Sequence, residues 1–535
     1  MLRLLRFQAR RDRRQLSIWI VSTGLFAAFS ATAVLSEFGG ITERTALMTL
    51  AASNPALLAI RGVPDGVAAG AVITFQVFTY LAIMAALMST FLTVRHSRGD
   101  EEAGRAELLG ATPVSRSSAR IATLTLGALA NVGIAVAVGL GFVASGLPLA
   151  GSVLVGLATG AVGLAFCGIA AVAAQLARSS RAANAIAGIS IAVAFLLRAF
   201  GDALGTSTDS PLRVASAWPS WLSPIGWAQQ VRPFGEASSW PLLLDVSVAA
   251  LCAALALVLV RRRDLGSGVI GERPGRARAA RSLRGSFGLA WRLQRSAVIG
   301  WSSGALLLGV FAGGLADPAV AAVESNASIR AAVQGLVPAG TSGLLDTFVA
   351  AIMTFLGVLA AGAAIQAVLR ARSEETDGHT ELVASGAVHR GRLILDPVGV
   401  ALLSIVGVLV VGGVSAGIAF AASGHPDRIG SSLAAALVQL PAAAMFAGAS
   451  ALVLVLAPRV AVAVGWGLLA IGFVLAEFGG LFGLPEWVRG ISPFAHTPVL
   501  PGSGAQWWPA VVMLAVAAAV ALAAVVLTRR RDLTL

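Results

Sequence analysis

The sequence predicts an all-α polytopic membrane protein of 12 transmembrane helices, built as a fused 6+6 parallel pseudo-dimer. Three observations carry this. First, 57% of the 535 residues are hydrophobic and only 12% charged, with a mean hydropathy of +0.83. Soluble domains carry about 25% charged residues, so a soluble enzyme is excluded. Second, uncharged apolar runs of about 20 residues, the length that spans a bilayer, recur along the whole chain. Third, the two halves repeat one another.

In order, the expected spans of the first half are 16–36, 67–94, 121–145, 150–176, 183–203 and 241–260. Those of the second half are 296–315, 343–369, 394–421, 432–456, 460–482 and 508–528. Two spans carry internal charge: 183–203 holds Arg198 and Asp202, and 460–482 holds Glu477. The chain contains no lysine, and 31 of its 39 basic residues fall on one side of these spans. Arginine-rich loops stay inside, which predicts a multi-pass protein of a bacterial plasma membrane with cytoplasmic N- and C-termini. The formal charge of +13 is therefore a membrane-edge feature, and no nucleic-acid partner is expected.

The repeat is read from ordered matches. Glu101-Glu102 returns as Glu374-Glu375, Glu107-Leu108 as Glu381-Leu382, and Val114-Ser-Arg116 as Val388-His-Arg390. Ser223-Pro224 matches Ser492-Pro493, and Arg261-Arg-Arg-Asp264 matches Arg529-Arg-Arg-Asp532. These divide the chain into a six-helix half 1–260, a cytoplasmic linker 261–292 and a second half 293–535. Such a parallel duplication places a transport route between the halves.

Chemistry within the chain is not expected. Without lysine there is no GxxxxGK[ST] phosphate loop and no Schiff-base nucleophile. The five histidines show no paired ligand spacing, so no metal, cofactor or catalytic residue is assigned. Cys167 and Cys252 both lie in apolar runs.

Between spans 2 and 3, Asp100 to Leu109 can form one short amphipathic helix with acids in its first turn, where the helix dipole favours them. Gly110 suits its C-cap and Pro113 blocks its continuation. The second copy, Arg370 to Arg392, keeps the acidic pair and the Glu-Leu centre. This duplicated knob resembles the coupling helix of ATP-binding-cassette (ABC) exporter permeases. The segment Leu222-Ser-Pro-Ile-Gly-Trp-Ala-Gln-Gln-Val-Arg-Pro-Phe234 is similar to a signature of actinobacterial permeases of polyketide-antibiotic and tetronasin-resistance type. Ile491-Ser-Pro-Phe-Ala-His496 keeps only its Ser-Pro core.

The resemblance implies a permease subunit that moves amphiphilic, antibiotic-like molecules outward, with ATP and magnesium bound by a separate ABC ATPase, two copies per chain. It implies ATPase-coupling roles for Glu101, Glu102, Arg105, Glu107 and Leu108 in the first knob, and for Glu374, Glu375, Glu381 and Leu382 in the second. It also implies elbow helices along the inner leaflet at Leu2–Arg14 and Phe287–Arg295.

Aromatic and methionine side chains that adapt to apolar ligands make Phe75, Gln76, Phe78 and Met84 in span 2, and Phe348, Met353 and Phe355 in span 8, candidates for a substrate pathway. Packing is the competing role for each. Arg198 and Asp202, four residues apart, are expected to pair on one helix face. Asp245 and Asp346 are expected to be hydrated near a membrane edge, and His96 and His389 to be solvated loop imidazoles. The alternative function is a 6+6 secondary drug transporter of the major-facilitator kind. Its GxxxDRxGRR loop is not matched by Gly99-Asp-Glu-Glu-Ala-Gly-Arg105.

Overall fold

Eleven helices among the described residues are long and apolar enough to cross a membrane, and Ala461–Glu477, of 17 residues, is a shorter apolar one. The computed structural model describes residues 2–112, 115–208, 210, 212–270, 278, 280–283, 285–325, 344–386, 388–477, 484–500 and 506–528. Among them the only strands are Thr206–Ser207 and Val214–Ala215, paired antiparallel. The protein is thus an all-α, multi-pass membrane protein. The chain divides into two compact units, 1–274 and 275–535.

The first unit runs α1 (Leu2–Glu37), α2 (Ile41–Ala52), α3 (Pro55–Arg61), α4 (Ala69–Val94), α5 (Asp100–Glu102), α6 (Arg105–Gly110), α7 (Arg116–Ala144), α8 (Leu149–Leu176), α9 (Ser180–Ala203), α10 (Pro224–Gln229) and α11 (Leu242–Arg262). Local chemistry sets several starts. Ser115, Ser179 and Ser223 cap α7, α9 and α10 by accepting from Ser118, Ala182 and Gly226 N–H groups, as short hydroxyl side chains do at helix starts.

The expected elbow at Leu2–Arg14 is not a separate helix. It continues unbroken into the first span, about 54 Å at 1.5 Å per residue, because no glycine or proline interrupts residues 2–23. The helices α7 and α8 cross closely because α8 presents Gly156 and Gly160. A Cβ at Gly156 would stand 2.2 Å from the Ala135 carbonyl oxygen, and one at Gly160 2.9 Å from that of Asn131. Small residues four apart allow this backbone approach between apolar helices.

The second unit runs α12 (Ser286–Ser325), α13 (Leu344–Thr376), α14 (His379–Ala384), α15 (Arg392–Ala422), α16 (Arg428–Leu437), α17 (Leu440–Leu456), α18 (Ala461–Glu477), α19 (Glu486–Arg489) and α20 (Trp508–Thr528). Again the expected elbow, Phe287–Arg295, is the start of one long helix. Span 10 is divided at Val438-Gln439 into α16 and α17, where Pro441 sits at the start of the second piece. Its core packs α13, α15 and α17 around Met353, Leu356, Ile405 and Phe446. Pro113, Val114, Ala387 and Arg529–Asp532 lie outside the described residues.

Candidate functional site

The loop after α4 is clamped into the first unit by charge. The helix α4 ends in a wider turn, Arg95–Gly99, which carries Arg98 inward. Its guanidinium donates to the Ala174 carbonyl at 2.7 and 3.0 Å, to the Ser267 carbonyl at 2.9 Å and to Glu101 at 2.7 Å. Glu101 also accepts from Arg263 at 2.5 and 2.9 Å and from Arg120. Asp100 accepts from Arg11 at 2.7 Å and Arg105 at 2.8 Å. Glu102 takes the backbone N–H of Ser180 at 2.8 Å. The acids of the loop therefore bind it to α1, α7, the end of α11 and the start of α9.

This differs from the sequence expectation in two ways. The expected single helix Asp100–Leu109 is broken: Ala103-Gly104 separate α5 from α6, and Gly104 takes φ +69°. Only glycine enters that left-handed region without a Cβ clash. Glu101, placed by its charge on an exposed knob face, is instead a buried hub of three arginines. His96 is likewise no solvated loop imidazole. It is buried and hydrogen-bonded to Asp12 at 2.7 Å.

The second copy repeats the geometry with less charge. Gly378 takes φ +74° and opens α14 as Gly104 opens α6. Glu374 pairs with Arg370 and with His379 at 2.9 Å, and Glu375 with Arg372 at 3.8 Å. In both units the third and fourth residues of the short helix stand free. Glu107 and Glu381 are exposed, and Leu108 and Leu382 are 73% and 75% exposed. A pair of short helices, each with a left-handed glycine in front and a glutamate–leucine tip outside, is what the structure assembles from the repeated motif.

The apolar candidates are not gathered into a channel within either unit. Phe75 and Phe78 are buried in separate core clusters of the first unit. They border a cavity of only about 30 Å³, the room of a single water. Met84 is partly buried, and the Gln76 carbonyl accepts from Arg61 at 3.0 Å. Met353 is fully buried, and Phe355 is exposed at its edge against Phe473, with centroids 5.3 Å apart. The side chain of Phe348 lies outside the described residues.

A second polar cluster lies about 27 Å along α9 from Ser180, at 1.5 Å per residue. Arg198 and Asp202 pair as expected, at 3.0 Å, but are completely buried. Arg198 donates to Gln229 at 2.9 Å, to the Ala59 carbonyl at 2.7 Å and to Thr79. Asp202 accepts from Ser216, Ser220 and Gln229. The Gln229 of the signature segment is thereby bound to both members of the pair. Asp245 and Asp346 are not hydrated as expected. Asp245 is fully buried, with neither carboxylate oxygen bonded to a described residue, and Asp346 is buried beside Arg428. Sequence reasoning missed Arg98, Arg120 and Arg263 as loop anchors and the two left-handed glycines. The recurrence of Gly104 at Gly378, 274 residues on, is the signal that was available.

Long crossing helices, apolar lipid-length spans and a duplicated short helix on an interhelical loop define the class: an all-α, multi-pass membrane protein with a repeated loop motif. The chain belongs to the family whose model is described as the multidrug efflux system permease Rv1217c, C-terminal domain, which it matches over residues 4–261 and 283–529. It is also similar to the multidrug efflux system permease protein Rv1217c of Mycobacterium tuberculosis, 35% identical over 99% of this chain and 94% of that protein. The exporter-permease resemblance read from the sequence agrees with this family.

Proposed function

We propose that the chain is the transmembrane subunit of an ATP-driven exporter that moves amphiphilic, drug-like molecules out of a bacterial cell. The observation that carries this is the matched pair α6 and α14, each presenting an exposed Glu-Leu tip from a glycine-capped short helix. The same Glu-Leu tip exposed at the same place in both repeats favours a shared protein partner, and two such tips favour two copies of an ATPase on one permease chain. ATP and magnesium belong to that partner. In this reading 1–260 and 293–535 are the two halves, 261–292 is their cytoplasmic linker, and both termini are cytoplasmic. Multidrug efflux, printed for the mycobacterial relative, is the substrate behaviour we carry to this chain.

The clamped loop gives the mechanism its mechanical link. Force on the α6 tip reaches α1, α7, α9 and α11 through Asp100, Glu101 and Glu102, so ATPase closure moves helices of the first unit together. In the second unit Glu374, the counterpart of Glu101, pairs with Arg370 one turn earlier and with His379 five residues on. The two tips thus connect to their units with different stiffness.

The test is co-purification. The double variant Leu108→Asp, Leu382→Asp should express and fold like the parent, lose the ATPase from the isolated complex, and restore drug sensitivity to an efflux-dependent strain. Full ATPase recovery with intact efflux would reject the docking role. Native mass spectrometry should show one permease chain with two ATPase chains.

A further inference from the structure

The second unit contains a cavity of about 370 Å³ between α12, the end of α13, α14 and the start of α15, within the usual ligand-pocket range of about 300–1,000 Å³. Leu289, Leu293, Val383, Leu393, Ile394 and Leu454 make its wall largely aliphatic. Three buried polar side chains interrupt that wall; Thr528 donates to the Ala524 carbonyl at 2.7 Å, and the other two are Asp396 and Gln294. Asp396 is 7% exposed and Gln294 6%. Neither makes a hydrogen bond or ion pair with any described residue.

The first unit is more polar at the matching positions. Gln8 donates to Thr123 at 3.0 Å; the position 274 residues on from Thr123 is Pro397, which has no hydroxyl. The repeat likewise sets Leu369, Ala371 and Ile394 opposite His96, Arg98 and Arg120. The first unit has a cavity of about 550 Å³ beside the same loop, lined by Gln8, His96, Asp100, Glu101, Arg120 and Arg263. In the second unit apolar side chains stand at the positions of His96, Arg98 and Arg120, and Asp396, opposite Ala122, is an acid the first unit lacks there. The remaining acids at its rim already have cations, Glu374 with Arg370 and Glu375 with Arg372. Arg392 is exposed.

Asp396 thus presents a carboxylate to a largely aliphatic cavity, with Arg370 and Arg392 elsewhere on the lining but neither paired with it. One class of ligand matches both the charge and the wall: a cation with a bulky apolar body. A divalent metal does not suit the cavity, because Ca²⁺ and Mg²⁺ need about six oxygen ligands and the wall between these groups is hydrocarbon. We propose that this cavity binds a lipophilic organic cation, its charge against Asp396, its polar edge beside Gln294 and its apolar body against the leucines. The proposal concerns the second unit alone and is independent of the ATPase reading, because binding is measured on the permease without a partner.

The experiment is equilibrium binding of radiolabelled tetraphenylphosphonium to the full chain in phosphatidylcholine nanodiscs, with protein-free nanodiscs subtracted. Tetraphenylborate, nearly the same shape with opposite charge, is the control. Saturable binding of the phosphonium at one site per chain is expected, with none of the borate. Asp396→Asn should weaken it at least about tenfold, the scale of one lost charge-assisted contact, and Asp396→Glu should retain it. Ala290→Phe, which fills the hollow and leaves the carboxylate in place, should also abolish it. Absence of saturable phosphonium binding, equal binding of the borate, or unchanged affinity in both Asp396→Asn and Ala290→Phe would overturn the proposal. If Asp396→Asn fails to fold, the phosphonium–borate comparison and Ala290→Phe still decide it.

Discussion

Replacing Glu101 by glutamine tests the charge hub of the first unit. The Glu101 side chain is 2% exposed, and its three partners Arg98, Arg120 and Arg263 are themselves only 0%, 13% and 6% exposed. A guanidinium does not shed its proton near neutral pH, so glutamine leaves three cations facing one another around a neutral amide. Removing one member of a buried ion pair costs about 3–5 kcal/mol. For a unit of this size 1 kcal/mol moves the unfolding midpoint by about 2–4 °C, so the first unit should melt roughly 6–20 °C lower. The matched change Glu374→Gln removes a carboxylate that is 21% exposed and bonded to neighbours on its own loop. Exposed pairs contribute about 0–1 kcal/mol, so its midpoint should shift by about 4 °C at most. Thermal unfolding of both variants in one detergent, followed by tryptophan fluorescence, measures the difference. Equal shifts, or a Glu101→Gln midpoint within about 2 °C of the parent, would refute the argument that burial separates the two loops.

Gly104→Ala and Gly378→Ala should each cost about 1–2 kcal/mol from backbone strain alone, since a Cβ at either position meets no atom within 4 Å; Gly188→Ala in mid-helix, equally open, should not destabilise. Arg198→Met should destabilise by about 3–5 kcal/mol by stranding Asp202, and adding Asp202→Asn should return part of it, the pair showing a coupling of about 1–3 kcal/mol in a double-mutant cycle. Burial pushes the Asp65 carboxyl above its ordinary value of 3.8, against the pull of Arg232 and Arg213. The folded state then holds that proton more tightly than the unfolded chain. Its stabilising contribution is complete below 3.8 and is lost as pH rises through the folded value. Asp65→Asn should flatten the pH–stability curve above 3.8, and an unaltered slope would contradict the assignment.

Much of the architecture was legible because the bilayer imposes it. Span positions follow from the length of hydrocarbon a helix must cross, and each apolar run from 67–94 to 508–528 falls on helix among the described residues. Of these, 296–315 is the middle of Ser286–Ser325, 432–456 is two helices, and 460–482 is described only to Glu477. The repeated Glu-Leu tip was legible too, because Glu107-Leu108 recurs as Glu381-Leu382 in the ordered repeat. Boundaries inside polar segments were less so. At the N-terminus, residues 2–14 differ from the span that follows only in polarity, and helix-forming residues continue across the junction, so polarity marked no break.

Apart from the family resemblance, which carried the permease reading, the sequence by itself determined that this is a helical, multi-pass membrane protein with an internally repeated motif, since composition, span length and ordered matches are one-dimensional properties. It also identified Arg198 and Asp202 as partners, because four residues on a helix bring side chains together. Only the tertiary structure decided the state of each charge. Arg263 reaches Glu101 across 162 residues, and Arg120 reaches it across 19; no periodicity encodes such approaches. Whether Asp396 meets an arginine or a largely apolar wall depends on which side chains the neighbouring helices bring beside it. Electrostatic free energy depends on distance and on exclusion from water, and both are set when the helices pack.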